Sequence, residues 1–479
     1  MADHRFAEHL EHPAGLGLRG EGHRASAGGA PCGDLVTVEV ALDAAGRVSA
    51  ACFEAAGCGA LTAAASAAVT LVEGEEVLVA ARAGADAIAA QLGGLSPGKR
   101  HAADLVSDAL HRALGAAVRA ADPREPVPGR TLVAMSGGVD SAVAALLCAE
   151  DADVAAVTLE LWRDPANDGE RSCCSADAVR SARALAHRLG LPHLTLDLRE
   201  EFRAGVVEPY LADHAAGLTP NPCVRCNGHV RLDAMLDFAD RLGARTLATG
   251  HYARTTPRGL LRLAADPAKD QAYMLAALAP ASLRRMRFPL GELTKAQVRA
   301  LAEEAELPVA RKPDSQDLCF LAGTGRAAFL ARHGALRQRS GDILDRAGRR
   351  LGRHRGHTAY TVGQRRGLGL AAPEPLYVLA TDARANTVTV GRREDLATTR
   401  VRVSDLRLHA ADPAPDAVKL RYRSPAVACT LHGDELRLEQ PVEGAAPGQT
   451  AVLLAGDAVV GCATIERPEG ESPRSGRRP

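Results

Sequence analysis

Ser136-Gly137-Gly138-Val139-Asp140-Ser141 separates two stretches of opposite character. Before it, residues 130–135 (Arg-Thr-Leu-Val-Ala-Met) are short, apolar and β-prone; after it, residues 142–150 are rich in helix formers. A strand, a glycine turn and a helix in that order aim unpaired backbone N–H groups and a helix N-terminus at an anion. The two glycines let the backbone approach a phosphate, and the flanking serine hydroxyls add donors. No Gly-Lys-Ser/Thr follows, which disfavours a loop built to transfer a γ-phosphate.

Working outward, residues 130 to about 330 alternate β and α patterns. Strands are expected over 154–161, 193–198 and 246–250, and helices over 176–189 and 230–242. That alternation predicts an α/β, doubly wound parallel sheet that binds ligands at the carboxyl ends of its strands. Beyond about residue 338 the helical patterns stop. Short β-prone segments (376–380, 387–390, 418–422, 451–454) predict two small β domains dividing near Arg393, the last a barrel. Upstream, residues 1–121 read as an α+β unit. It has strands over 34–40 and 48–54 and helices over 60–71, 76–92 and 100–120. The expected domains are therefore 1–121, a proline-rich linker at 122–129, then 130–337, 338–393 and 394–467, with a disordered tail at 468–479.

An apolar content of 46% supports a sizeable core, while 3% aromatics leave little for base-stacking platforms. The formal net charge of zero excludes a wholly cationic nucleic-acid binder, so such binding would rest on local arginine clusters. The first residues lack an apolar signal region and no run reaches membrane-span length, so a cytoplasmic protein without a membrane partner is expected.

Eleven cysteines, an odd number in a chain without a secretion signal, argue for metal-binding or catalytic thiols over a disulfide framework. Asn221-Pro222-Cys223-Val224-Arg225-Cys226-Asn227 places two thiols three residues apart on a proline-stiffened loop, and Cys319 lies in a separate Asp314–Phe320 stretch. A Cys-x-x-Cys serves in zinc, redox or iron–sulfur sites. Cys52, Cys148, Cys429 and Cys462 read as core residues, and Cys173-Cys174 as a loop pair near the expected site.

The phosphate loop resembles that of the PP-loop ATP pyrophosphatases. Together with residues 219–227, 249–254, 269–271, 314–320, 363–369 and 421–422, it makes residues 130 to about 467 similar to the tRNA-specific 2-thiouridylases. The resemblance implies ATP-dependent adenylation of the C2 oxygen of a tRNA wobble uridine, followed by sulfur transfer. It implies Cys226 as nucleophile and Cys319 as the persulfide carrier. Ala134, Met135, Ser136, Gly137, Gly138, Val139, Asp140, Ser141, Leu159 and Gly250 would contact ATP, with Asp140 assisting Mg²⁺. Asn221, Pro222 and Cys223 would face the target base, and Lys269, Asp270, Gln271, Arg421 and Tyr422 would touch tRNA. The sulfur donor would be a cysteine desulfurase, a relay protein or hydrosulfide. Many family members carry aspartate where this chain has Cys223. The substitution opens a second chemistry, in which Cys223, Cys226 and Cys319 hold a [4Fe–4S] cluster.

Cys32, Asp34, Cys58 and His101, with Lys99-Arg100 before the histidine, make residues 5–119 resemble iron–sulfur scaffolds of the NifU/IscU type. Ala102 stands where that family has a third cysteine. The remaining donors suit a labile [2Fe–2S] cluster or Zn²⁺. A supplier on a short tether would have a high effective concentration, which favours the cluster reading of the catalytic cysteines. Two rival functions remain in the sequence: a PP-loop ligase or amidotransferase acting on a small molecule, and a non-enzymatic carrier that binds tRNA.

Overall fold

The computed structural model describes residues 2–29, 33–163, 176–314, 318–321, 323–334, 336, 339–410 and 412–468. Cys32, Cys173, Cys174 and the tail from 469 onward lie outside the described residues. The chain forms two compact units. One comprises Met1–Glu200, Asp233–Tyr252 and Arg285–Phe320, and the other Glu201–Leu232, Ala253–Arg284 and Leu321–Pro479. The expected 130–337 segment thus contributes to both.

The first unit starts with helix α1 (Ala2–Glu11) and an antiparallel sheet of β1 (His23–Gly28), β2 (Leu35–Leu42) and β3 (Val48–Ala56). Helices α2 (Gly59–Val72) and α3 (Arg100–Ala120) cover it. Strand β1 has only small and polar side chains, so no apolar alternation announced it. The helix expected over 76–92 is instead two pieces, Val77–Ala80 and Ala85–Gln91. The break falls at Gly84, whose extended backbone lies so close to His187 that a Cβ would stand 2.3 Å from its Nδ1.

The same unit then builds a five-stranded parallel sheet in the order β8-β7-β4-β5-β6. The strands are β4 (Arg130–Ala134), β5 (Asp153–Glu160), β6 (His193–Asp197), β7 (Thr246–Thr249) and β8 (Met286–Arg287). Helices α4 (Val139–Asp151), α5 (Ala176–Arg188) and α6 (Lys295–Glu304) accompany it. The two-residue β8 was too short to register as a strand pattern.

Helix α3 is buried on two faces. One packs on β1 and β2, the other on the edge strand β6 of the parallel sheet. There Gly115 comes so close that a Cβ would lie 1.9 Å from the Thr195 carbonyl oxygen. The Ala81 carbonyl receives the His193 N–H at 3.0 Å and lies 3.1 Å from His187 Nε2 and 3.2 Å from His111 Nε2. The linker is pinned as well, with Arg124 N–H donating to Asp240 O and Val127 N–H to Gly243 O. The N-terminal module is thus docked on the sheet edge, which an effective-concentration argument for a swinging tether does not describe.

Three histidines line this seam, with ring centroids 5.1, 6.0 and 6.4 Å apart. Burial, more than the nearby Arg183, pushes His111 and His193 well below the usual imidazole range; burial likewise brings His187 down to about 4. The folded chain keeps all three neutral, whereas the unfolded chain protonates them below about pH 6.5. Their contribution is full above that pH and is lost as pH falls toward about 4. The thermal midpoint should therefore drop between these limits, and His187→Asn should make the drop shallower. An unchanged slope in the variant would refute this account.

In the second unit, strands Gly341–Leu344, Arg350–His354, Tyr377–Asp382 and Thr387–Gly391 form a four-stranded sheet around Ile343, Val378, Val388 and Val390. Six further strands close into a barrel: Ala397–Leu408, Glu435–Glu443, Val427–His432, Ala417–Lys419, Thr450–Ala455 and Ala458–Ile465, the last pairing back with the first. Its core includes Val403, Val418, Leu436, Leu453 and Cys429. The expected parallel-sheet domain followed by two β domains, the last a barrel, is what the chain forms.

Candidate functional site

Strand β4 ends at Ala134 in the middle of the parallel sheet, and the six-residue turn follows at its carboxyl end. Gly137 has φ +70°, where a side chain would be strained, and its missing Cβ would meet Ala178 O at 3.1 Å. Gly138 caps α4 in an extended conformation. Ser141 Oγ locks the turn, accepting from Ser136 N–H at 3.1 Å and donating to Gly138 O at 3.1 Å. Gly250, just after β7, lies so close to the start of α4 that a Cβ would be 2.7 Å from both Asp140 C and Ser141 N. The loop expected from the sequence to hold phosphate is therefore clamped between two strands and a helix, with its amides at the N-terminus of α4.

Cations reach the loop from a segment that gave no local signal. Lys295 Nζ lies 2.7 Å from Asp140 Oδ1 and 2.8 Å from Asp314 Oδ1, Arg299 joins Asp314 at 3.1 Å, and Lys312 Nζ donates to Gly137 O at 2.8 Å. Tyr252 OH donates to Asp140 Oδ1 at 2.7 Å. His251 contacts Thr249 Oγ1 through Nδ1 at 2.8 Å. Only the Thr249–Arg254 motif hinted at Tyr252; Lys295 and Lys312 are more than 150 residues from the turn they serve.

In the second unit, Asn221 caps the short helix Pro222–Cys226 and accepts from Cys223 N–H at 3.2 Å and Val224 N–H at 3.4 Å. Proline at the first helical position suits this start. Cys223 is half-buried near the N-terminal end and Cys226 is buried at the other. Gly228 follows, where a Cβ would come within 2.5 Å of the Ala277 side chain.

The residues expected to touch base and tRNA gather around Tyr273, which sequence reasoning missed. Its hydroxyl donates to Thr450 O at 2.7 Å; burial raises its pKa while hydrogen bonding to Asn221 works the other way. The Tyr422 ring lies 6.1 Å from it, tilted by 53°. Burial, then Asp270, raise the Tyr422 pKa; Arg423 and Lys269 oppose them, and Cys223 adds to the rise. Asp270 is buried and turned inward, accepting from Ala264 N–H at 2.9 Å, with Lys419 Nζ at 3.6 Å. It shapes the loop that presents Lys269 and Gln271, both half-buried. Arg421 donates to Gly444 O at 2.6 Å. Cys319 is partly exposed and belongs to the first unit.

In the N-terminal module, ligand atoms of Asp34, Cys58 and His101 lie within 4.8 Å of one another. Cys58 donates to Asp34 through N–H at 3.0 Å and through Sγ at 3.3 Å, and His101 Nε2 is 3.0 Å from Asp34 Oδ2. The Cys58 N–H, then His101, hold the Asp34 carboxyl below its usual range, so it is ready as an anionic ligand. Oxygen, sulfur and nitrogen donors together suit Zn²⁺. Ala102, in place of a third thiol, is fully buried. Cys52, Cys148, Cys429 and Cys462 are buried as expected.

The glycine turn at the carboxyl end of a central parallel strand defines a nucleotide-binding α/β protein of the PP-loop class. Residues 129–323 match the family described as tRNA methyl transferase HUP domain, 327–392 its PRC-barrel domain, 398–465 the aminomethyltransferase beta-barrel domain, and 2–119 the NifU-like N terminal domain. The chain belongs to the family of bifunctional NifU/MnmA proteins: it is 43% identical over 482 residues to that protein of Rubrobacter xylanophilus, covering 97% of this chain and 98% of the relative. The tRNA-specific 2-thiouridylase MnmA of Salinispora arenicola is 46% identical over 356 residues, 70% of this chain and 98% of its own. That of Methylobacterium radiotolerans is 43% identical over 373 residues, 74% and 97% respectively. A solved structure, the U34-tRNA thiolase NcsA of Methanococcus maripaludis with its [4Fe-4S] cluster, aligns over 44% of this chain and 65% of its own at 18% identity and TM-score 0.27, a likeness too slight to bear on chemistry. Among the described residues no helix is long and apolar enough to cross a membrane.

Proposed function

We propose that this chain is an ATP-dependent tRNA-uridine 2-sulfurtransferase whose N-terminal module carries a metal ion or iron–sulfur cluster as cargo. The observation that carries the reading is the serine-locked turn at Ser136–Ser141, in a chain matched end to end by a NifU/MnmA relative.

Uridine C2=O is a poor electrophile, so its oxygen must first become a leaving group. Adenylation by ATP does this, with the loop amides and the α4 N-terminus holding the departing pyrophosphate as charge develops. Lys295 and Lys312 lie beside the turn and would neutralise the phosphates. Asp140 would hold the accompanying Mg²⁺, with Lys295 moving from the carboxylate to phosphate. Leu159 and Gly250 would border the nucleotide.

Asn221, Pro222 and Cys223 would receive the base, and Lys269, Gln271, Arg421 and Tyr422 the tRNA around it. Cys319 would carry the sulfur as a persulfide whose outer sulfur attacks C2 as AMP leaves. The Cys226 thiolate would then attack the inner sulfur, forming a Cys226–Cys319 disulfide and freeing 2-thiouridine, and an external thiol reductant would restore the two cysteines. Under the alternative chemistry Cys223 and Cys226, one helical turn apart, would hold a [4Fe–4S] cluster together with Cys319, and it would supply a Lewis acid and a sulfur-binding iron. Persulfide sulfur would come from a cysteine desulfurase or a relay protein, whereas hydrosulfide would serve the cluster route. In the N-terminal module Asp34, Cys58 and His101, with Cys32, would hold Zn²⁺ or a [2Fe–2S] cargo.

The protein purified without air, given ATP, Mg²⁺, sulfide and a tRNA with an unmodified wobble uridine, should form 2-thiouridine with equimolar AMP and pyrophosphate. Pyrophosphate release that ignores tRNA, with no thiolated product, would sink the reading and favour a small-molecule ligase.

A further inference from the structure

The seam between the N-terminal module and the parallel sheet carries a ladder of alternating charge. Glu160 ends β5; its Oε1 accepts from Arg112 Nε at 3.0 Å and from Nη2 at 2.6 Å. Arg112 Nη1 reaches Asp108 Oδ2 at 3.1 Å, and Asp108 Oδ1 reaches Arg183 Nη1 at 3.0 Å. Arg112 and Asp108 belong to α3 of the module, Glu160 and Arg183 to the parallel-sheet domain. Glu160, Asp108 and Arg183 are all buried. A single Arg112 thus pairs two carboxylates, one from each side of the seam.

Each outer rung is the chain neighbour of a residue at the expected nucleotide site. Glu160 follows Leu159, expected to border the nucleotide at the carboxyl end of β5. Arg183 follows Ala182, whose backbone N would be 3.5 Å from a Cβ on Gly137 of the phosphate loop. We propose that the N-terminal module is a fixed positioning subunit of the nucleotide site, in which Arg112 and Asp108 hold the end of β5 and helix α5 in place around the phosphate loop. This rests on the assignment of the loop to ATP and gives the fusion a role besides carrying cargo.

The physical reason is charge. A carboxylate buried at the end of β5 without a paired cation is an uncompensated charge that either strains the strand end or repels anions bound near it, and Arg112 is the cation that pairs it. Burial raises the Glu160 pKa, Arg112 lowers it and Asp108 raises it, with Arg199 lowering it from beyond β6. Asp197, its cross-strand partner on β6, is itself paired with Arg199. Without Arg112 the Glu160 carboxyl should take up a proton at a higher pH than in the wild type.

The test is ATP binding by the full-length chain, with thermal midpoints measured alongside. Arg112→Met should weaken ATP about tenfold at about pH 8, and the loss should shrink as pH falls and the stranded carboxyl takes up a proton. Adding Glu160→Gln to Arg112→Met should restore affinity to within about threefold of wild type. Unchanged ATP affinity in Arg112→Met overturns the proposal. So does a loss that neither falling pH nor Glu160→Gln relieves, since that pattern is general loosening. A wild-type chain that binds no ATP would instead overturn the loop assignment itself, and the proposal with it.

Discussion

Cys226→Ser will abolish thiolation while leaving the nucleotide half of the reaction working. Serine nearly matches cysteine in volume, and Cys226 ends a helix whose start is fixed by Asn221 and Pro222, so the exchange leaves the local fold intact. A hydroxyl cannot open a persulfide as a thiolate does or bind soft iron, so 2-thiouridine should fall by at least about a thousandfold. Activation of the base precedes sulfur transfer and rests on the loop at Ser136–Ser141, so tRNA-stimulated pyrophosphate release should stay within about tenfold of wild type. Cys223→Ser supplies the contrast. Under the three-thiolate reading it loses iron and thiolation together. Thiolation that survives in Cys223→Ser but not in Cys226→Ser assigns the transfer to Cys226 and Cys319 alone. A fully active Cys226→Ser chain defeats both routes.

The architecture was legible because its signals are local. The turn at residues 136–141, the β/α alternation after it and the loss of helical pattern near residue 338 each fix a neighbourhood of the chain. Asp34, Cys58 and His101 were grouped by resemblance and not by local pattern, and the fold brings their ligand atoms within 4.8 Å. What escaped was whatever depends on distant packing. Lys295 opens a helix with an ordinary capping box, and nothing nearby says that its ammonium meets Asp140. Ser107, Asp108, His111 and Arg112 are polar residues on one side of the helix, and nothing nearby in the chain marks them as buried. They form a second buried face, because Arg183 of α5, the Ala81 carbonyl and Glu160 of β5 offer matching partners. Tyr273 resembled any core aromatic until the fold placed Asn221, Thr450 and Tyr422 around it. Gly84 shows the same limit in the backbone: its break makes room for a histidine more than 100 residues away.

Gly250→Ala tests the clamp on the phosphate loop and should have the second largest effect. The added methyl would lie 2.7 Å from Asp140 C and Ser141 N, both backbone atoms of the first turn of α4, so no flexible side chain can swing aside. Either β7 or the start of α4 must move. Overpacking of this kind costs about 1–3 kcal/mol of stability, seen as a lower thermal midpoint. The chemical cost is larger, because the loop amides, Ser141 and Asp140 all move with α4. A displacement on the order of 1 Å at groups that must meet a developing charge lowers turnover by about a hundredfold. Pyrophosphate release should therefore collapse in a chain that remains folded at room temperature, with the Asp34, Cys58 and His101 site still able to bind Zn²⁺. The separation of the two readouts is what distinguishes a displaced loop from an unfolded protein. Wild-type turnover in Gly250→Ala would mean that the first turn of α4 yields without consequence, and that the loop is not held by the contacts described.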